Sequence, residues 1–170
     1  MRSVRHFITL AAMLLMAGCA GYHVGPTGGQ VAGAKSIQIR PFVNKTVEPR
    51  LIEPFTSALR KKLQQDGTFR LETQKEGDVV VTGTIIKYIR EGISFQPQDV
   101  LSVRDISIRV VVHLTSMERA TGKILYDGEV TASTALNVGA DLVSAERQAS
   151  TLLAADFAKN AASILTEGLW

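Results

Sequence analysis

From Val103 to Thr115 the chain alternates. Ile106, Ile108, Val110, Val112 and Leu114 fall on one side, and Asp105, Ser107, Arg109 and His113 on the other. A period of two over this length predicts a half-buried β-strand. Ile124 to Thr134 repeats the pattern, with Ile124, Tyr126, Val130 and Ala132 facing in and Asp127, Glu129 and Thr131 facing out. Between them Arg119-Ala-Thr-Gly-Lys123 reads as a hairpin turn. Upstream, Asp78–Arg90 is dense in β-branched residues and predicts a long strand with a bulge at Gly83. Glu91–Ser102, with Gly92, Phe95 and Pro97, reads as a loop or ragged hairpin. Two shorter strands are expected at Ser36–Phe42, where Ile37 and Ile39 oppose Gln38 and Arg40, and at Phe69–Thr73. Val43–Pro49 reads as a turn-like connection, and the glycosylation-type triplet Asn44-Lys45-Thr46 within it is taken as part of that turn.

Two stretches carry the helical period instead. Phe55, Leu59 and Leu63 recur every four residues after a start near Ile52–Pro54, with Ile52 and Ala58 beside them. Proline is tolerated in a first turn, Arg60, Lys61 and Lys62 suit the C-terminal end of the dipole, and Gly67 is a stop. An alanine-rich segment from Asp141 or Leu142 to Leu165 predicts a second helix, capped by Asp141 or Ser144. Its expected apolar stripe is Leu142, Ala145, Ala149, Leu152, Leu153, Ile164 and Leu165. The order strand, helix, four strands, helix predicts an α+β two-layer sandwich. Two amphipathic helices pack on one face of a four- to five-stranded, mostly antiparallel sheet. The other face, with Arg40, Arg109, His113 and Glu129, is expected to stay wet or to meet a partner.

The N-terminus obeys neither period. Arg2 and Arg5 precede an apolar run from Phe7 to Ala17, roughly half the ~20 residues of a membrane-spanning helix, which reads as a signal-peptide core. The run ends in Leu14-Leu15-Met16-Ala17-Gly18-Cys19, with the only cysteine of the chain. This ending resembles a bacterial lipobox, with Met16 where Leu is commoner. The resemblance implies cleavage before Cys19 and acylation of its thiol. A lone thiol has no intramolecular disulfide partner, which agrees with a lipid role. Each buried methylene contributes about 0.8 kcal/mol and one chain binds only marginally, so a multiply acylated Cys19 would hold the protein on a membrane. Ala20, rather than Asp, follows the cysteine, which in lipoproteins implies export to the outer membrane. Residues 1–18 are thus expected to be a cleaved signal peptide, and 36–170 a single domain. Residues 19–35, with Gly21, Gly25, Gly28, Gly29 and Gly33, are expected to be a lipidated, flexible tether.

Charge then has to be re-read. The full chain has 19 Lys+Arg against 16 Asp+Glu. Loss of residues 1–18 removes Arg2 and Arg5 and leaves 17 against 16, a near balance that gives no reason to expect nucleic acid. No glycine spacing fits a phosphate-binding loop. Neither GxSxG, HExxH nor a Cys/His cluster occurs, so no catalytic residue, metal or cofactor is expected. His23 reads as a tether residue and His113 as a surface or cross-strand residue.

Several segments together resemble a known family. Gly21-Tyr22-His23 after the cysteine is followed by Ile39-Arg-Pro-Phe-Val-Asn-Lys-Thr-Val-Glu-Pro49, then Thr56-Ser-Ala-Leu-Arg60. Gly67-Thr-Phe-Arg-Leu71 and Gly77-Asp-Val-Val-Val-Thr-Gly83 continue the series. This order is similar to the LPS-assembly lipoprotein (LptE) family, and the chain departs from it in stopping at Trp170 without a polar tail. The resemblance implies two helices on a sheet, and a lipoprotein that plugs the lumen of a large, LptD-like outer-membrane β-barrel through which lipopolysaccharide is inserted. It places the domain on the periplasmic side or inside the barrel. The Pro-Phe-x-Asn-x-Thr strand end is also similar to curli-secretion subunits and activators of peptidoglycan synthases, so another lipoprotein adaptor is the alternative. The Gly-Tyr-His run favours the first family.

If lipopolysaccharide is the ligand, its lipid A phosphates demand cations, best as arginine forks beside apolar surface. Lys87, Arg90 and Arg104, with Ile93, Phe95 and Leu101 between them, are the expected contacts. Antiparallel pairing would bring Arg90 and Arg104 to the same end of the sheet. Arg60–Lys62 is the competing patch.

Overall fold

The computed structural model describes residues 35–96, 99–137 and 142–167, with the backbone alone at 93–96, 99–104 and 142–146. The elements are β1 (Ser36–Ile39), β2 (Val43–Asn44), α1 (Ile52–Asp66), β3 (Arg70–Glu72), β4 (Val79–Gln96), β5 (Asp99–Glu118), β6 (Ile124–Asn137) and α2 (Leu142–Glu167). The fold is the α+β sandwich that the patterning predicts, with six strands rather than four or five. Their order is β3-β1-β4-β5-β6, with β2 also on β4. β4–β5 and β5–β6 are antiparallel, whereas β1 pairs in parallel with β3 and β4. The extra strand is β2. Val43 and Asn44 pair in parallel with Thr84 and Ile85, so the connection after β1 begins by staying in the sheet.

From Asp105 to Thr115 alternate side chains of β5 face the helices, although Val111 on the other side is buried too. Ile106, Ile108, Val110, Val112 and Leu114 are all buried, and both helices cover that face. Each such side chain contributes about 1.5–3 kcal/mol by leaving water. The region expected as a loop or ragged hairpin is a continuation of β4 and β5. They pair out to Gln96↔Asp99, with register shifts beyond Gly92.

α1 forms as its sequence implies. Phe55, Leu59 and Leu63 lie on its buried side, whereas Ile52, expected beside them, is exposed in the first turn. Gly67 ends it in the left-handed conformation at φ 76°, its N–H reaching Leu63 O at 3.2 Å. Ahead of it the turn at Asn44 ties itself together. Asn44 Oδ1 accepts from Thr46 N and Oγ1, and Asn44 Nδ2 donates to Glu48 O at 2.6 Å. The side chain of this glycosylation-type triplet is therefore a turn-former.

Three details correct the pattern reading. The bulge on β4 is not at Gly83 but between Ile85 and Lys87. Gly83 admits the Phe42 ring: a Cβ there would lie 2.8 Å from its carbons. Ile124 faces outward and is 51% exposed, because a register shift at Leu125 breaks the alternation and Ile124 pairs with outward-facing Met117. On α2, Leu152 is 49% exposed. The buried stripe is Ala149, Leu153, Ala154, Phe157, Ala158, Ala161, Ala162 and Leu165. Phe157 is its centre, 5.2 Å from Phe55 and 5.6 Å, edge to face, from Phe42. Leu142 and Ala145 of the expected stripe, and the caps at Asp141 and Ser144, fall outside the described side chains.

Candidate functional site

α1 and α2 begin at the same end of the sandwich, away from where the described chain enters at Lys35. There, Glu48, Arg50, Leu51, Tyr88, Arg147, Ser150 and Leu153 line a cleft with about 40 Å³ of room, enough for ordered water. Each wall has a local cause. Pro49 starts a 3-10 turn before α1, and Glu48 accepts from Arg50 N. Arg50 Nε also lies 3.1 Å from Glu48 Oε1, which holds the guanidinium at the cleft. Tyr88 faces the helices because the bulge before Lys87 resets the alternation of β4. Arg90, paired with Ile108, shares that face about 7 Å further along the strand. The arrangement is cationic with an apolar, aromatic floor and one carboxylate. Such a set of guanidinium groups suits an anionic group, such as a phosphate, at the mouth of the cleft.

The sequence-predicted residues are divided by this geometry. Lys87 pairs with Val111 on the outer face, whereas Arg90 is on the helix side, so the two do not converge. Arg104 lies on β5, at the same end as Arg90, but its side chain is outside the described ones. Cys19 is outside the described residues altogether. In the competing patch, Arg60 is turned inward: its Nη2 donates to Ile39 O at 2.8 Å. Lys61 and Lys62 remain exposed on the rim of an open groove of about 510 Å³ between the helices, floored by Pro54, Ala58, Ala154, Ala155 and Ala158.

Sequence reasoning missed Arg50 and Arg147. They sit on separate segments and fall in no common motif, and only the parallel course of the two helices brings them to one cleft. The available signal was their place beside the helix starts.

The outer sheet face is mixed, with Val80 and Val111 buried among its side chains and Ile124 exposed on it. Arg109 and Glu129 are exposed on it. His113 takes the cross-strand role expected of it, with Nε2 2.9 Å from Asp127 Oδ1, and Thr115 Oγ1 donates to the same oxygen at 3.0 Å. Among the described residues no three His, Cys, Asp or Glu side chains gather as metal ligands, and no helix is long and apolar enough to cross a membrane.

Solved structures share the fold at low sequence identity. Protein XCC0632 from Xanthomonas campestris superposes with a TM-score of 0.56 at 7% identity, over 85% of this chain and 94% of that one. The hypothetical protein CT253 from Chlamydia trachomatis gives 0.54 at 11% identity, over 79% and 94%. A minor lipoprotein from Acinetobacter baumannii gives 0.52 at 13% identity, over 78% and 92%. A comparison with curated protein sequences finds no match. The fold thus defines the class, a two-layer α+β domain of a type also found in a bacterial lipoprotein. Within that class, the family described as LptE, Lipopolysaccharide-assembly, matches residues 34–166, and the chain belongs to it. This is a family of outer-membrane lipoproteins with a role in lipopolysaccharide assembly.

Proposed function

We propose that this protein is tethered to the outer membrane by acyl chains on Cys19 and plugs the large β-barrel that inserts lipopolysaccharide. In this reading it assists assembly of that barrel and touches lipopolysaccharide on its way to the outer leaflet. Family membership over residues 34–166 is the observation that carries this reading. The cleft supports the ligand contact. Arg50, Arg90 and Arg147 offer guanidinium forks for lipid A phosphates at the mouth of the cleft, with the half-buried Tyr88 beside them, while Leu51 and Leu153 are buried beneath. Arg104 belongs to the same end of the hairpin and is part of the proposed contact set. Lys87 serves the opposite face, where it meets the barrel wall or a separate part of the ligand.

Two measurements test the tether and the partner. Labelled fatty acid should be incorporated into the wild-type chain and not into Cys19→Ala, which should leave the membrane fraction. Affinity purification from detergent should recover a large barrel of heat-modifiable mobility. Recovery of a peptidoglycan synthase instead would replace this reading with the adaptor alternative.

A further inference from the structure

β6 ends the strand order, so one side of it faces no other strand among the described residues. A strand running from Ile124 to Asn137 with an open side is a template for another chain. α2 lies along that side and takes two of its backbone groups. Asp156 Oδ2 accepts from Ser133 N at 2.9 Å, and Asn160 Nδ2 donates to Thr131 O at 3.0 Å. The match is geometric. Asp156 and Asn160 are four residues apart, about 6 Å along a helix, and Ser133 and Thr131 are two apart, about 6.6 Å along a strand. A carboxylate meets the N–H and an amide N–H meets the carbonyl, so each polarity is complementary.

The rest of the edge is blunted by other means. The register shift at Leu125 distorts its start, and Asp127 and Glu129 place charge on it. Bulges, charges and a covering helix are recognised ways of refusing a further strand. We propose that Asp156 and Asn160 are edge guards, which keep a second copy of this chain from pairing its β6 with this one and extending the sheet. Without them the edge would accept the same strand across a two-fold axis. The proposal stands apart from the lipopolysaccharide reading.

The test is sedimentation of the full chain in density-matched detergent, with amide exchange at Ser133 read alongside. The wild type and Asp156→Asn, which keeps an acceptor oxygen, should be monomeric. The double variant Asp156→Ala/Asn160→Ala should dimerise as concentration rises. Its Ser133 amide should exchange about tenfold faster when dilute, as loss of one hydrogen bond predicts, and regain protection in the dimer. A folded double variant that stays monomeric overturns the proposal, even if Ser133 exchanges faster. So does a dimer that leaves Ser133 unprotected, or a wild type that already dimerises through β6. If the double variant does not fold, Asp156→Ala alone carries the same comparison.

Discussion

Ser36 and Asp78 hold each other by three hydrogen bonds. Ser36 N and Oγ donate to Asp78 Oδ2 at 2.9 and 2.7 Å, and Asp78 N donates to Ser36 Oγ at 2.9 Å. This clasp fixes the start of β1 against the start of β4, where the chain enters the described domain. Arg119 closes it further, bonded to Glu76 and, through Nε, to Gly77 O at 3.2 Å.

The clasp makes stability depend on acid. The Ser36 N–H, then its hydroxyl, hold the Asp78 carboxyl below its ordinary value, with smaller help from Arg70 and Arg119 against the cost of burial. A folded pKa below the unfolded one stabilises above the unfolded value, near 3.9, and the contribution fades as pH falls through the folded value. Asp78→Ala should therefore lower stability by about 1 kcal/mol at neutral pH. The gap from wild type should close as pH falls below about 4. Melting curves across that range check it.

Gly83 and Phe42 should be energetically coupled. A methyl at Gly83 must displace a ring 2.8 Å away, so Gly83→Ala should cost roughly 1–3 kcal/mol by overpacking. Phe42→Leu should cost less in that background than alone. A double-mutant cycle by denaturant unfolding reads the difference, and additive costs would contradict the close approach.

Phe157 and Leu152 separate the true face of α2 from the apparent one. Phe157→Ala should cost about 3–5 kcal/mol, because its ring is fully buried between Phe42 and Phe55. Leu152→Ala should stay within about 0.5 kcal/mol, as for other surface positions. Equal costs in chemical denaturation would mean that the helix is rotated.

What the sequence conveyed follows from the strength of its periods. The buried sides of β5 and α1 are legible because their apolar residues repeat at a steady period, but the extension of β5 back to Asp99 is not, since the stretch before Val103 carries Pro97 and no such period. Ile124 departs from its expected side because Ile124, Leu125 and Tyr126 are all apolar, and the letters do not show that Leu125 is the extra residue of the register shift. Leu152 departs from the expected stripe because adjacent leucines on a helix point about 100° apart, and it is Leu153, four residues before the buried Phe157, that takes the buried side. β2 escaped because two residues show no period. Arg90 was legible as a candidate from its position near a strand end. Arg50 and Arg147 were not, since their proximity is a property of how the helices cross the sheet. Lys87 and Arg90 look like one patch in the sequence because they lie close along it, yet an odd spacing on β4 puts them on opposite faces. The bulge between Ile85 and Lys87, which decides the face each takes, has no dependable sequence mark.

If the cationic cleft meets lipopolysaccharide, binding of purified lipopolysaccharide to the full chain must depend on its arginines. Each charge-assisted bond contributes about 1.5–3 kcal/mol, less where exposed, so Arg50→Glu/Arg90→Glu/Arg147→Glu should weaken binding by at least about tenfold. The melting temperature of that variant should stay near the wild-type value, and Lys61→Glu/Lys62→Glu should bind as the wild type does. Undiminished binding by the folded arginine variant, or loss of binding with the lysine pair instead, would contradict the account.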